Sequence, residues 1–231
     1  MDAPKHLRLT LLPAHPCPYL PDREARSEGF LSRRIPPEVY HGLMDAGFRR
    51  SGVLVYRPKC VGCNLCRSIR INTVRFTPTA SQRRVWRRNL DLSVSVAKAQ
   101  PSEEKFLLYA KYVRDWHGKE EDATPAAFVE FLYDSPVATY ETEYRDRAGK
   151  LVGVGICDRS QHALSSVYFY FDPQESRRSL GSFGAMWEIQ WAREQNIPWY
   201  YLGYWVKGCS AMEYKARFGP HEVLGEDGVW K

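Results

Sequence analysis

Ser165-Ser166-Val167-Tyr168-Phe169-Tyr170-Phe171-Asp172-Pro173, continuing into Gln174-Glu175-Ser176-Arg177-Arg178-Ser179-Leu180-Gly181-Ser182-Phe183-Gly184, is the stretch whose reading decides the fold. The run up to Phe171 reads as a strand, and Asp172-Pro173 ends it. From about Ser179 to Glu194 the pattern is helical, so a glycine-containing loop opens a helix soon after a strand. Backbone N–H groups at such a place can hold an anion on the helix N-terminus. A further strand, Trp199 to Tyr204, and a short helical piece near Met212 to Phe218 follow.

Upstream, the period is two over Thr139 to Arg145 and again over Leu151 to Cys157, with a turn at Asp146 to Gly149 between them. Before these strands, Ser102-Glu103-Glu104 caps a helix whose Phe106, Tyr109, Ala110, Val113 and Trp116 recur at helical spacing. A second helix begins at Thr124-Pro125 and buries Phe128, Phe131 and Leu132. Two helices, an antiparallel strand set, then strand, loop, helix and strand: this order is similar to the acetyltransferase-like (GNAT) fold. The expectation is therefore an α/β protein, with an acetyltransferase-like mixed sheet and helices over residues 99–231. Residues 1–98 form a smaller N-terminal α+β part, the break falling at Ala97 to Pro101. Acyl-CoA users of that fold favour R/Q-x-x-G-x-G/A in the loop. Here Phe183 stands at the last position, where its bulk would crowd a pyrophosphate.

The first half opens with an alternating run, His6 to Leu12, read as a strand. Pro13 to Pro21 carries too many prolines for regular structure, and Cys17 sits at its centre. Asp22 to Glu28 reads as a charged, solvated face. A helix is expected from Pro36-Pro37-Glu38 to Gly47, then a strand from Phe48 to Tyr56 with a bulge or turn at Ser51-Gly52. Tyr56-Arg57-Pro58-Lys59-Cys60-Val61-Gly62-Cys63-Asn64-Leu65-Cys66-Arg67 spaces three thiols as C-x-x-C-x-x-C, and Ile69 to Phe76 resumes a strand, making a knuckle-like hairpin. Thiols at that spacing suit one metal centre, zinc or iron–sulfur, with Cys17 as fourth ligand on a long loop. Reduced thiols that pin the turn by packing are the other reading. Next, Ser81 is the expected N-cap of a helix on which Arg84, Arg87 and Arg88 share a face, with Arg83 and Trp86 beside them. Such a cluster neutralises phosphates well; a solvated basic face is the plainer account. Asp91 to Val96 reads as a strand ending the first half.

The 231 residues carry 33 Lys and Arg against 27 Asp and Glu, a net charge of +6 that favours a polyanionic partner. No apolar run approaches the ~20 residues needed to span a bilayer, so no membrane partner is expected. The N-terminus lacks an apolar signal core, and six cysteines with three clustered do not resemble a secreted disulfide framework. The cytoplasm is the expected compartment.

Several motifs in one order then carry a resemblance over nearly the whole chain. They are Cys17-Pro18-Tyr19-Leu20-Pro21, the Cys60/Cys63/Cys66 turn, Ser81-Gln82-Arg83-Arg84 with Arg88-Asn89, Tyr168 to Pro173, and Tyr200-Tyr201-Leu202-Gly203-Tyr204-Trp205-Val206 with Met212 to Pro220. Together they resemble the aminoacyl-tRNA–protein transferases, in particular the bacterial aspartate/glutamate leucyltransferase branch, kin to the eukaryotic arginyltransferases. The resemblance implies transfer of leucine from leucyl-tRNA to the α-amine of proteins beginning with Asp or Glu, marking them for degradation by the N-degron pathway. It also implies, by analogy, a ligand set of Cys17, Cys60, Cys63 and Cys66 for an iron–sulfur cluster or zinc. Leu20 stands where the eukaryotic relatives have the second cysteine of their early pair. An arginyl-tRNA–protein transferase, an acyl-CoA-dependent N-acetyltransferase and a non-catalytic RNA-binding protein are the alternatives.

Aminoacyl transfer from ester to amine is downhill, so no cofactor is required for the chemistry. The protein must hold a neutral amine about 3–3.5 Å from the ester carbonyl. An α-amine with a pKa of about 7.7–8.0 needs no strong base near neutrality. Asp172 at the strand end is the expected residue to orient or deprotonate the amine, with Tyr170 beside it; a turn-forming Asp is the plainer reading. Tyr168, Tyr204 and Tyr214 are expected to line the pocket or else the core. Arg75, Arg178 and Lys215 are expected to meet the acidic side chain, and Arg83, Arg84, Arg87 and Arg88 the tRNA.

Overall fold

The structure, a computed structural model, describes residues 8–231. The first half runs β1 (Thr10–Leu11), β2 (His15–Pro16), β3 (Glu24–Ala25), β4 (Ser27–Leu31), α1 (Pro37–Asp45), β5 (Arg49–Ser51), β6 (Leu54–Pro58), β7 (Cys66–Asn72), α2 (Ala80–Arg88) and β8 (Ser93–Lys98). The second runs α3 (Glu103–His117), α4 (Pro125–Phe128) with a π turn (Val129–Tyr133), β9 (Ala138–Arg145), β10 (Leu151–Arg159) and β11 (Ala163–Phe171). A 3₁₀ turn (Pro173–Arg178), α5 (Leu180–Glu194), β12 (Trp199–Val206), α6 (Ser210–Glu213), a second 3₁₀ turn (Tyr214–Arg217) and β13 (His221–Val223) complete it. Of the expected opening strand, His6 and Leu7 lie outside the described residues.

A seven-stranded sheet in the order β13-β7-β12-β11-β10-β9-β8 carries the molecule. Its one parallel pair is β11 with β12; the other neighbours are antiparallel. This is the expected acetyltransferase-like mixed sheet. It takes β7 and β8 from before residue 98 and the rest from after it. On β11, Tyr168 and Tyr170 meet Tyr109 of α3, while Phe169 lies against Gly184 of α5 and Tyr144. Both faces are covered, which is why Val167 to Phe171 reads as an unbroken apolar run. A four-stranded sheet, β1-β4-β6-β5, packs α1 beside the larger one through Tyr40, Met44, Val55 and Tyr201.

Three local expectations change. The cysteine turn does not close a hairpin: β6 lies between β4 and β5, so both its edges are taken, and β7 pairs instead with β12 and β13. The turn is a crossover between sheets. In the charged segment Asp22 to Glu28, Asp22, Arg23 and Glu24 are exposed as expected, but Ala25 to Glu28 turn inward as the chain enters β3 and β4, held by pairing with β2 and β6. The N-cap of α2 is Thr79, not Ser81: its hydroxyl accepts from Gln82 N while the Gln82 side chain accepts from Thr79 N. That reciprocal box satisfies two donors where a lone Ser81 would satisfy one.

Candidate active site

The parallel strands β11 and β12 stay paired only from Ala163–Trp199 to Ser165–Tyr201 and then part. The β12–β7 register also shifts between Tyr201 and Tyr204, and Gly203 sits inside that irregularity at φ +83°. Two side chains enter the split. From β5, Arg49 donates through Nη1 to Ser165 Oγ at 2.8 Å and through Nη2 to the Ser166 carbonyl, both on β11. From the Tyr214–Arg217 turn, Lys215 donates through Nζ to the Tyr204 carbonyl of β12 at 2.7 Å. A Cβ built on Gly203 would lie 3.4 Å from both Arg49 Nη2 and Lys215 Nζ. Only glycine takes this φ readily and leaves the space between the cations open.

Both cations are buried, at 9% and 8% exposure, and among the described residues neither has a carboxylate partner. The neighbouring Arg50 is the contrast: Asp158 pairs with it at 2.6 Å and 2.8 Å. Buried charge without a counter-charge is costly. Burial, with the Arg49 charge next, lowers the Lys215 ammonium to about 7. A carboxylate beside it would oppose both effects by favouring the ammonium.

Tyr19, Tyr56 and Tyr204 surround this place. Burial raises all three phenols, and the Arg49 charge pulls against that rise in each. Tyr204 Oη donates to the Gly47 carbonyl at 2.9 Å, which fixes its ring. The three rings line a cavity of about 300 Å³, with Leu20, Leu54 and the thiols of the cysteine crossover. Cys17, Cys60, Cys63 and Cys66 all reach this cavity wall. Among the described residues, however, no three His, Cys, Asp or Glu side chains take up a metal-holding arrangement. Cys60 instead accepts from Arg26 N at 3.4 Å, and burial with the neighbouring thiols pushes Cys66 up to about 12. The four thiols thus share one cavity wall without a preformed chelate, and the transfer chemistry needs none of them.

The other expected residues scatter. Asp172 is buried at the far end of β11, its oxygens taken by Lys111 and Lys150 at 2.7 Å each and by Gln174 N at 3.1 Å. Burial opposes ionisation, but these donors outweigh it and hold the carboxyl below its usual range. It anchors a turn, which gives it little power to take a proton. Tyr170 is fully buried against Tyr109 and Phe128. Tyr168 lines a second cavity with Tyr109 and Phe131. Tyr214 is partly exposed beside Phe218. Arg178 is held by Asp91 at 2.9 Å and Glu175 at 2.7 Å, and Arg75 is exposed after β7. Of the three cations expected to meet an acidic side chain, Lys215 alone sits in the split, and Arg49 was missed. Phe183 does not crowd the loop: it packs inward against Trp86 and Tyr144. The N–H groups of Ser179, Ser182 and Phe183 bond to local carbonyls, which leaves few to hold a pyrophosphate.

On α2, Arg83, Arg84, Arg87 and Arg88 are all exposed, and none has a carboxylate partner among the described residues. Gln82 Nε2 donates to the Arg217 carbonyl at 3.2 Å, joining this helix to the turn that carries Lys215.

A mixed sheet whose one parallel pair splits part-way along defines the acetyltransferase-like fold class. Among solved structures the chain is similar to L-PGS from Bacillus licheniformis, with a TM-score of 0.50 at 12% identity over 80% of this chain and 68% of that one, a likeness of fold. The description "Arginine-tRNA-protein transferase, N terminus" matches residues 15–84, and "Arginine-tRNA-protein transferase, C terminus" matches residues 104–225. The chain belongs to the arginine-tRNA–protein transferase family. It is 41% identical over 219 residues to the aspartate/glutamate leucyltransferase of Hahella chejuensis, covering 93% of each chain. To that of Saccharophagus degradans it is 38% identical over 222 residues, 94% of each. No helix among the described residues is long and apolar enough to cross a membrane.

Proposed function

We propose that this protein transfers leucine from leucyl-tRNA to the α-amine of proteins whose first residue is Asp or Glu. The observation that carries the reading is the buried Arg49–Lys215 pair with no carboxylate among the described residues, facing a split strand pair. The acidic side chain of the acceptor supplies the missing anion, and the relatives' name, aspartate/glutamate leucyltransferase, points the same way. With that side chain seated at Gly203, the acceptor's neutral α-amine attacks the ester carbonyl. The carbon–oxygen bond to the ribose breaks, the amide forms, and the proton lost by the amine ends on the ribose oxygen. Nearness supplies most of the rate, since the reaction runs downhill. The exposed arginines of α2 meet the tRNA phosphates. Charged tRNA as donor places the work in the cytoplasm, and the added leucine marks the product for degradation.

The test is transfer of labelled leucine from leucyl-tRNA, with arginyl-tRNA in parallel, to peptides beginning with Asp, Glu or Ala. Transfer from leucyl-tRNA to the acidic peptides only is the expected result. Equal labelling of the Ala peptide would remove Arg49 and Lys215 from recognition, and labelling from arginyl-tRNA alone would reassign the cargo.

A further inference from the structure

A groove between α2 and α5 lies outside the split, with a volume of about 330 Å³. Its floor is apolar: Phe76, Met186 and Ile189 are buried there, and the Trp86 ring stands as a wall. Its rim is cationic, with Arg83 and Arg87 on one side and Arg193 on the other. None of the three has a carboxylate partner among the described residues. Arg83 and Arg193 are braced instead by the carbonyls of Pro78, Thr73 and Phe76 at 2.7–2.8 Å. Gln190 is exposed at the mouth, its Nε2 donating to Glu194 Oε1 at 2.9 Å, which leaves its amide oxygen as the acceptor.

We infer that this groove takes one unpaired nucleobase from the single-stranded 3′ end of the charged RNA. This rests on the tRNA-dependent reading above and adds where the RNA is gripped. An aromatic wall over an aliphatic floor suits the π-face of a base, and the arginine rim suits the phosphates on either side of it. Single-stranded RNA carries that combination of a flat apolar body and flanking anions at every nucleotide, whereas a peptide carries it only where an aromatic residue is flanked by carboxylates. Duplex RNA cannot present a base this way, since its bases are stacked inside the helix. The groove also lies next to the chemistry: Phe76 on its floor stacks on Phe218 at 6.1 Å, and Gln82 one turn away holds the Arg217 carbonyl. A strand held by one base here is led toward Lys215 and the split.

The probe is an RNA minihelix with a short single-stranded 3′ tail, carrying 2-aminopurine at each tail position in turn, titrated with the full chain. One position should be quenched strongly and the others little, and Trp86→Leu should abolish that quenching and weaken binding roughly tenfold. A blunt-ended minihelix should bind both proteins alike. Absence of quenching at every position, or quenching that survives Trp86→Leu, would overturn the inference. If Trp86→Leu does not fold, the doubly substituted Arg83→Gln/Arg87→Gln protein replaces it; full tail affinity in that protein overturns the inference equally. Leucine transfer is assayed on the same samples. Transfer without quenching refutes the base groove and keeps the reaction; quenching without transfer does the reverse.

Discussion

Arg49 and Arg50 are neighbours in β5, both buried, yet only Arg50 has a carboxylate to meet it. The sequence marks both as cations inside an apolar strand and nothing more. Which is matched depends on Asp158, 108 residues further on, and on a split in the sheet that only tertiary pairing creates. Lys215 was legible as a cation near the cleft, Arg49 was not, and Asp172 was readable equally as a base or as a turn anchor. Replacing Arg49 by Met should lower kcat/KM for an Asp-starting peptide by roughly 10- to 100-fold, the worth of a charged hydrogen bond. Binding of tRNA should stay unchanged, as measured by filter retention. Lys215 adds a pH signature. Its folded pKa is depressed to about 7, so the peptide's carboxylate meets an ammonium below that pH and an amine above it. Affinity for a non-reactive acidic peptide should therefore fall as pH rises above about 7, by up to roughly tenfold per unit, while kcat rises as the α-amine deprotonates. Calorimetry on the Lys215→Arg protein should show the affinity loss flattened; an unflattened curve would exclude Lys215 from the anion site.

At the scale of the element, α2 shows how local chemistry and long-range use divide. The helix itself was legible, because its arginines repeat at helical spacing and its flanks carry capping residues. Its true cap, Thr79, lay two residues earlier than expected because Gln82 completes the box. The cysteine crossover misled for a different reason. Two strand-like runs about a tight turn look like a hairpin wherever the neighbours of each strand are unknown, and here β4 and β5 already occupy both edges of β6. Arg84 lies outside the groove and free of any carboxylate among the described residues. Changing it to Gln should reduce the salt dependence of tRNA binding by about one unit of slope. Peptide KM should not move, since the exposed Arg84 side chain takes no part in the Gln82 contact that ties α2 to the Lys215 turn.

For the whole molecule, two buried carboxylates fix how the layers sit, and each has its own expected cost. Asp158 on β10 receives Arg50 from the small sheet, Tyr40 Oη of α1 at 2.7 Å and Thr139 Oγ1 of β9 at 2.7 Å. It bolts the N-terminal part to the large sheet, a junction the sequence concealed because its partners come from three separate segments. Asp158→Ala leaves Arg50 buried without its charge and should cost roughly 3–5 kcal/mol in urea unfolding. Glu188 on α5 is the second, wholly buried against the sheet. Its oxygens accept from Tyr200 Oη at 2.5 Å and Thr142 Oγ1 at 3.3 Å, and among the described residues it has no cation partner. Burial raises its carboxyl from 4.5 to about 7, although hydrogen bonds from Tyr200, Cys157 and Thr142 pull the other way. The unfolded chain thus ionises this group first, and between pH 4.5 and about 7 the folded state holds the extra proton. Stability must fall as pH rises through that window. A rise of that size corresponds to about 3 kcal/mol between acid and slightly alkaline solution. Glu188→Gln keeps the shape and an acceptor for Tyr200 but has no proton to lose. Urea midpoints at pH 5 and pH 8.5 should therefore separate: the wild-type chain weakens relative to the variant by most of that amount on going to the higher pH. A constant difference between the two proteins across the range would mean that Glu188 is already ionised within the fold, and that the α5–sheet contact is polar and charged where its burial requires it to be neutral.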